Sequence, residues 1–218
     1  MFPLILMIFT SYVIGSFPTA IIVSKLIYKT DVRDHGSGNA GATNIFRTFG
    51  WKPALFVTIV DIFKGWLPTY LISIYKFEGM LLSDHLDILM IVAGFSAVLG
   101  HTYTIFAGFK GGKGVATAAG MLIALFPIAL PICIVVFILT LMSSGIVSLG
   151  SMLAATTLPI VVFLIDAFSK DMNTSSTLKI FSILIAVFIV FTHRSNITKI
   201  KNGTENKFEK AIVFKRKK

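Results

Sequence analysis

Seven apolar stretches punctuate this 218-residue chain, near residues 2–24, 53–75, 86–106, 114–126, 128–143, 147–168 and 177–192. A helix of about 20 apolar residues matches a hydrocarbon layer of about 30 Å. Backbone that leaves water must satisfy its own N–H and C=O groups, so such runs fold as helices inside a bilayer. Composition agrees: 55% of residues are hydrophobic, 14% are charged and 20 are phenylalanine, with a mean hydropathy of +0.85. The sequence therefore predicts an all-α, polytopic integral membrane protein, a single membrane-embedded domain over 1–218. The amino-terminal segment has neither a basic n-region nor a small-x-small cleavage site, and is expected to remain as a helix rather than act as a signal peptide.

Residues 114–143 are the ambiguous part of the count. Thirty residues at 1.5 Å each make about 45 Å, too long for one upright span and short for two. Pro127 and Pro131 offer a break, and charge chooses the number of spans. With seven helices and the amino terminus outside, the cytoplasmic face collects Lys25, Lys29, Arg33, Arg47, Lys52, Lys110, Lys113 and nine basic residues from Arg194 to Lys218, while Lys76, Lys170 and Lys179 remain outside. Six helices would put the first loop and the basic tail on opposite faces, against the positive-inside rule. The reading is thus seven helices with a cytoplasmic carboxyl terminus, motif-bearing loops 25–52, 101–114 and 143–148, and a tail 193–218, all on one face. The net charge of +10 follows from this asymmetry and from attraction to anionic headgroups; nucleic acid is not needed to explain it. Lys215 to Lys218 read as a membrane-surface charge run.

Three polar constellations interrupt the apolar background. The first loop reads Asp31-Val-Arg-Asp-His-Gly-Ser-Gly-Asn-Ala-Gly-Ala-Thr-Asn-Ile-Phe-Arg47. Its glycines permit close backbone approach, Ser37, Asn39, Thr43 and Asn44 supply uncharged donors, and Arg47 offers a planar fork suited to phosphate. A polar turn capping a helix would use the same residues. The second, Gly108-Phe-Lys-Gly-Gly-Lys-Gly-Val-Ala-Thr117, places Lys110, Gly111, Gly112, Lys113 and Gly114 before an apolar helix. Inward-turned amides, two ammonium groups and the helix dipole make a seat for phosphate. Gly114 follows Gly112-Lys113 where a nucleotide P-loop needs Ser or Thr, so an ATPase is not indicated. The third follows the last helix: His193 and Asn196 share a helical side at i, i+3, and Glu205 lies downstream. His193 suits hydrogen bonding to a substrate oxygen or accepting a proton, and also suits a plain helix end; His101 presents the same choice.

Asp61 and Lys64 fall inside the second apolar segment, where isolated charges are expensive. Their i, i+3 spacing allows a mutual ion pair, or lets Lys64 turn toward a polar site. Cys133 reads as packing. Four dispersed histidines and one cysteine offer no metal cluster, and no metal or cofactor is expected. The chain has no Gly-x-Ser-x-Gly elbow, so no covalent acyl-enzyme is suggested.

Four motifs together carry a resemblance: Gly36-Ser-Gly-Asn-Ala-Gly-Ala-Thr-Asn-Ile-Phe-Arg47; Gly100-His101 with Phe109-Lys-Gly-Gly-Lys-Gly-Val-Ala-Thr117; Val147-Ser-Leu149; and His193-x-x-Asn-Ile197. They resemble the bacterial membrane glycerol-3-phosphate acyltransferase (PlsY) family over nearly the whole chain. The resemblance implies a seven-helix enzyme of phospholipid biosynthesis in the bacterial cytoplasmic membrane, with its active site on the cytoplasmic side. It implies transfer of an acyl group from acyl phosphate to the 1-hydroxyl of sn-glycerol 3-phosphate, with membrane lipids and the enzyme that supplies acyl phosphate as partners. By position it carries over Ser37, Arg47, Lys113 and His193 as catalytic residues. Asn39, Thr43, Asn44, His101, Lys110, Gly111, Gly112, Gly114, Ser148, Asn196 and Glu205 carry over as substrate-binding. The general base is left open among His193, His101 and the substrate's own phosphate. Thr104 stands where relatives often have proline, and Lys199 where arginine is common. Two other classes share the same residues, a transporter of anionic metabolites and a noncatalytic membrane protein that binds phosphorylated compounds.

Overall fold

The computed structural model describes residues 2–75, 85–169 and 174–213. Lys76, Lys170 and the basic run Lys215–Lys218 lie outside the described residues. Those residues contain helices and short 3-10 turns and no strand. The chain divides into two compact units, Met1–Leu125 and Phe126–Lys218.

The first unit holds α1 (Phe2–Ser16), α2 (Thr19–Tyr28), α3 (Ala42–Phe49), α4 (Trp51–Ile74), α5 (Leu86–Thr102) and α6 (Val115–Leu125). Glycine sets its closest packing. A Cβ at Gly65 of α4 would overlap the Thr117 carbonyl oxygen of α6, and one at Gly120 of α6 would overlap the Ile62 carbonyl oxygen of α4. Gly15 and Gly100 bring α1 and α5 together in the same way, against the carbonyls of Ala97 and Tyr12. In lipid, where apolar burial gives helices little reason to associate, such backbone approach maximises dispersion contacts. Large side chains instead face outward: Phe9, Phe56, Ile59 and Phe63 are exposed, as a lipid-facing surface requires.

The continuous first helix expected over 2–24 is broken. Pro18 has no N–H to continue α1 and restricts Phe17 before it, so α1 stops at Ser16 and α2 restarts at Thr19, running on to Tyr28. The first loop is also more ordered than a polar turn: it contains a 3-10 turn at Val32–Asp34 and the eight-residue α3. Val32, Ala40 and Ile45 from this loop join Ala20, Ile21, Ala54 and Val57 in one buried cluster, against which Ala107 packs.

The second unit holds α7 (Ala129–Ser144), α8 (Val147–Phe168), α9 (Ser176–Thr192) and α10 (Arg194–Lys201). The expected break within 114–143 falls at Phe126–Ile128, and Pro131 sits in the first turn of α7, where its missing N–H would have had no partner. Cys133 is buried and unpaired. Beyond α10 the chain returns over the α7–α8 turn: Phe208 N donates to Gly145 O at 2.8 Å and Val213 N to Met142 O at 2.9 Å. Ile132, Val135, Leu139, Ile160, Leu164, Leu184 and Val187 present an apolar exterior.

All seven expected apolar segments are therefore helical. Among the described residues, four are long and apolar enough to cross a membrane: Phe2–Tyr28 taken with its break, Trp51–Ile74, Leu86–Ala107 and Val147–Phe168. Val115–Leu125 and Ala129–Ser144 are shorter, and Ser176–Thr192 continues into α10 through a 58° bend.

Candidate active site

Within the first unit the two glycine-and-cation loops come together. Asn44 organises the first. Its Oδ1 accepts from Ser37 N at 2.8 Å, and its Nδ2 donates to Val32 O at 2.8 Å and His35 O at 2.9 Å. Asn44 is 1% exposed, so its amide braces the loop that presents Ser37 and Asn39. Gly36 adopts φ +58° beside it, and a Cβ there would overlap Asn44 Oδ1; only glycine meets both demands. Thr43 and Arg47 lie half-buried on α3, one turn apart.

A link that sequence reading did not identify ties this loop to the second. Arg33 grips Asp31 with Nη2 at 2.8 Å and Nε at 3.0 Å, and its Nη1 donates to Ala107 O at 3.1 Å. Lys25 Nζ lies 3.2 Å from the same carboxylate. The Arg33 hydrogen bonds hold the Asp31 carboxyl well below the usual carboxylate range, and Asp31 in turn raises the Arg33 guanidinium.

The second loop is laid against the end of α5. Gly112 N donates to His101 O and Gly111 N to Thr102 O, both at 3.1 Å. A Cβ at Gly111 would overlap the His101 carbonyl oxygen, and one at Gly112 the His101 imidazole. Gly114 follows at φ +82°, and Ala118 N donates to Gly114 O at 2.7 Å as α6 begins. Lys110 is exposed and Lys113 half-buried. The two loops share a pocket whose lining includes Ala40, His101, Gly111 and Gly112. The lining also includes Asp61, Lys64 and Thr19, so the ion pair expected inside the bilayer borders the loops.

The second unit gathers the remaining residues. Ser148 Oγ donates to Glu205 Oε1 at 2.9 Å and Asn196 Nδ2 to the same oxygen at 2.8 Å. Glu205 Oε2 is buried with no hydrogen-bond partner among the described residues, an uncompensated acceptor there. His193, 3% exposed, has Nδ1 2.8 Å from Ile189 O. A carbonyl can only accept, so Nδ1 carries the proton and Nε2 is the basic nitrogen of the neutral ring. The i, i+3 spacing predicts one helical side for His193 and Asn196; the structure instead puts His193 at the 58° bend between α9 and α10, with Asn196 on α10, and Glu205 meets Asn196 and Ser148 because the chain beyond α10 turns back.

A sequence model of the glycerol-3-phosphate acyltransferase family matches residues 5–203. The chain is 42% identical to the glycerol-3-phosphate acyltransferase of Chlorobium phaeobacteroides, with 95% of this chain and 97% of the relative covered. It is 43% identical to that of Chlorobaculum parvum, with 90% and 93% covered. Its fold matches the crystal structure of PlsY, an integral membrane glycerol 3-phosphate acyltransferase, in the glycerol 3-phosphate form, with a TM-score of 0.81 at 30% identity over 94% of this chain and 96% of that one. The lysophosphatidic acid form of PlsY gives a TM-score of 0.79 at the same identity over 94% and 95%. With matches that span nearly its whole length, this chain belongs to the PlsY family of integral membrane glycerol-3-phosphate acyltransferases.

Proposed function

We propose that the protein transfers an acyl group from acyl phosphate to the 1-hydroxyl of sn-glycerol 3-phosphate, releasing inorganic phosphate and 1-acylglycerol 3-phosphate. The observation that carries this reading is the meeting of the two Gly-rich loops, linked through Arg33 and Ala107, with Ala40, Gly111 and Gly112 lining one pocket beside Lys64 and His101. The alcohol oxygen attacks the acyl carbon, the C–O bond to phosphate breaks, and the hydroxyl proton leaves to a base. An acyl phosphate is already an activated mixed anhydride, so the protein's work is to position the hydroxyl and neutralise charge. Arg47 and Lys113 contact phosphate, with Lys110 and the amides of Gly111, Gly112 and Gly114 completing the seat. Ser37, presented by Asn44, touches a phosphate or the reacting oxygens, and Asn39, Thr43 and His101 border them. His193 and Asn196 orient glycerol phosphate, and Ser148 holds Glu205, whose second oxygen accepts from a substrate hydroxyl.

The protein works as one membrane domain over 1–218 that crosses the bacterial cytoplasmic membrane seven times. The charge tally supports an external amino terminus and a cytoplasmic face bearing the loops and carboxyl terminus. Two short helices within 114–143 are accommodated by local thinning or by shielding within the protein. The enzyme that makes the labile acyl phosphate is the natural partner. The transporter reading rests on Asp61 and Lys64 within the second apolar segment and on the broken segment at Pro127.

Purified protein supplied with glycerol 3-phosphate and either acyl phosphate or acyl-coenzyme A tests the donor. Lysophosphatidic acid formed with acyl phosphate alone is the expected result. Product formed only with acyl-coenzyme A would replace the donor, and no product with either would remove the enzyme reading.

A further inference from the structure

The sequence places Asp61 and Lys64 one helical turn apart inside α4. Lys64 Nζ lies 2.7 Å from Asp61 Oδ1 and donates to Phe17 O at 2.9 Å, a carbonyl released by the break between α1 and α2. Thr19 Oγ1, at the restart of α2, donates to Asp61 Oδ1 at 3.1 Å. Thr104, just before the Gly-rich loop, donates to Ser16 O at 2.5 Å. The same carboxylate oxygen stands 3.7 Å from His101 Nδ1, close enough for an electrostatic contact though longer than a hydrogen bond. All three members are buried: Asp61 is 2% exposed, Lys64 4% and His101 7%.

Two charges withdrawn from water in a bilayer are a poor way to gain stability, since well-packed apolar residues of the same volume do as well or better. What the pair supplies is orientation. A carboxylate facing Nδ1 favours the proton there and restrains the imidazole. That imidazole is the surface against which Gly112 packs so tightly that no Cβ fits, while the His101 carbonyl takes the Gly112 amide. We infer that Asp61 and Lys64 are positioning residues for the reaction, fixing His101 so that the Gly111–Gly112 backbone is held in its phosphate-receiving shape. This deepens the proposed function and rests on that assignment of the loop.

The test uses the full-length protein with Asp61→Leu/Lys64→Met, which removes both charges at similar volume. Three quantities are measured: thermal stability in detergent, amide exchange across 109–114 relative to α8 and α9, and KM and kcat for each substrate. The expected result is a melting temperature unchanged or raised, exchange across 109–114 faster by about tenfold, and a KM for one phosphate-bearing substrate raised by about tenfold with kcat changed less. Adding His101→Asn to the double variant should lower kcat/KM no further than His101→Asn alone, because the effect passes through that ring. Asp61→Asn/Lys64→Gln, which also removes both charges, serves if the first double variant is not recovered from membranes, with the same local acceleration expected. Unchanged exchange across 109–114, exchange accelerated throughout the protein, or losses that multiply with those of His101→Asn would each overturn the inference. Because exchange requires no turnover, a wild-type protein without acyl transfer would sink the proposed activity while leaving this result decisive for positioning.

Discussion

Replacing Asn44 tests how the first loop is built. Its buried amide makes three hydrogen bonds, one accepted from Ser37 N and two donated to Val32 O and His35 O. At about 1 kcal/mol net for each, Asn44→Ala removes about 3 kcal/mol, and it leaves Val32 O without this partner at a buried residue. The bonds all close within residues 32–44, so the loss falls first on the loop and reaches α2 and α4 through the buried cluster they share. Ser37 and Asn39 then sample many positions, and misplacement of reacting groups by about 1 Å costs on the order of a hundredfold in rate. Asn44→Asp is the sharper variant: it keeps an acceptor for Ser37 N but turns a carboxylate toward two carbonyl oxygens. Both variants should purify folded but melt below wild type in detergent, show exchange accelerated most across 35–44, and lose about a hundredfold in kcat/KM for acyl transfer. Wild-type exchange and kinetics in Asn44→Ala, or an Asn44→Asp protein more active than Asn44→Ala, would refute the brace.

Arg47→Ala and Lys113→Ala should each nearly abolish turnover while the protein still purifies as a folded monodisperse species; near-normal rates in both would overturn the phosphate assignment. Gly120→Ala puts a Cβ onto the Ile62 carbonyl of the neighbouring helix, so α4 and α6 must separate; thermal melts should show about 1–3 kcal/mol of destabilisation, and an unchanged melting temperature would contradict the close approach. Asp31 has a folded pKa below its unfolded one, so its contribution is fully present above the ordinary carboxylate value, begins to fall below it and is gone once pH has dropped through the lower folded value. Asp31→Asn should therefore lower the melting temperature by a constant amount between pH 5 and 8. Below about pH 4 the difference should shrink as the Asp31 contribution is lost; a difference that stays constant or grows down to about pH 2 would contradict the Arg33 clamp.

Hydropathy made most of the fold legible because a bilayer-length apolar run has one low-energy backbone solution. The sequence bounds 147–168 coincide with α8, and those of α9 differ by one residue. The break at Phe17–Pro18 was hidden for the same reason: apolar residues continue through it, and the carbonyls it frees find partners, Lys64 and Thr104, that lie far along the chain. Helices α3 and α10 are eight residues each, too short to announce themselves by periodicity. The two loops proposed to bind phosphate were readable as candidates from glycine and lysine spacing. Their mutual contact through Arg33, and the approach of Asp61 to His101, are tertiary facts with no local signal. Asn44 shows the limit from the other side, since a polar residue in a motif looks the same whether it faces a ligand or its own backbone.

Site-directed labelling of the two loops tests the central claim most directly. Single cysteines replacing Asp34 and Phe106, exposed residues beside the two loops, in a Cys133→Ser background and sealed right-side-out vesicles, are exposed to a membrane-impermeant thiol reagent before and after permeabilisation. Both should react only after permeabilisation, and saturating glycerol 3-phosphate with a non-hydrolysable acyl phosphate analogue should protect both. Reaction of the two cysteines from opposite faces, or protection of neither, would contradict a shared site for two phosphate-bearing substrates.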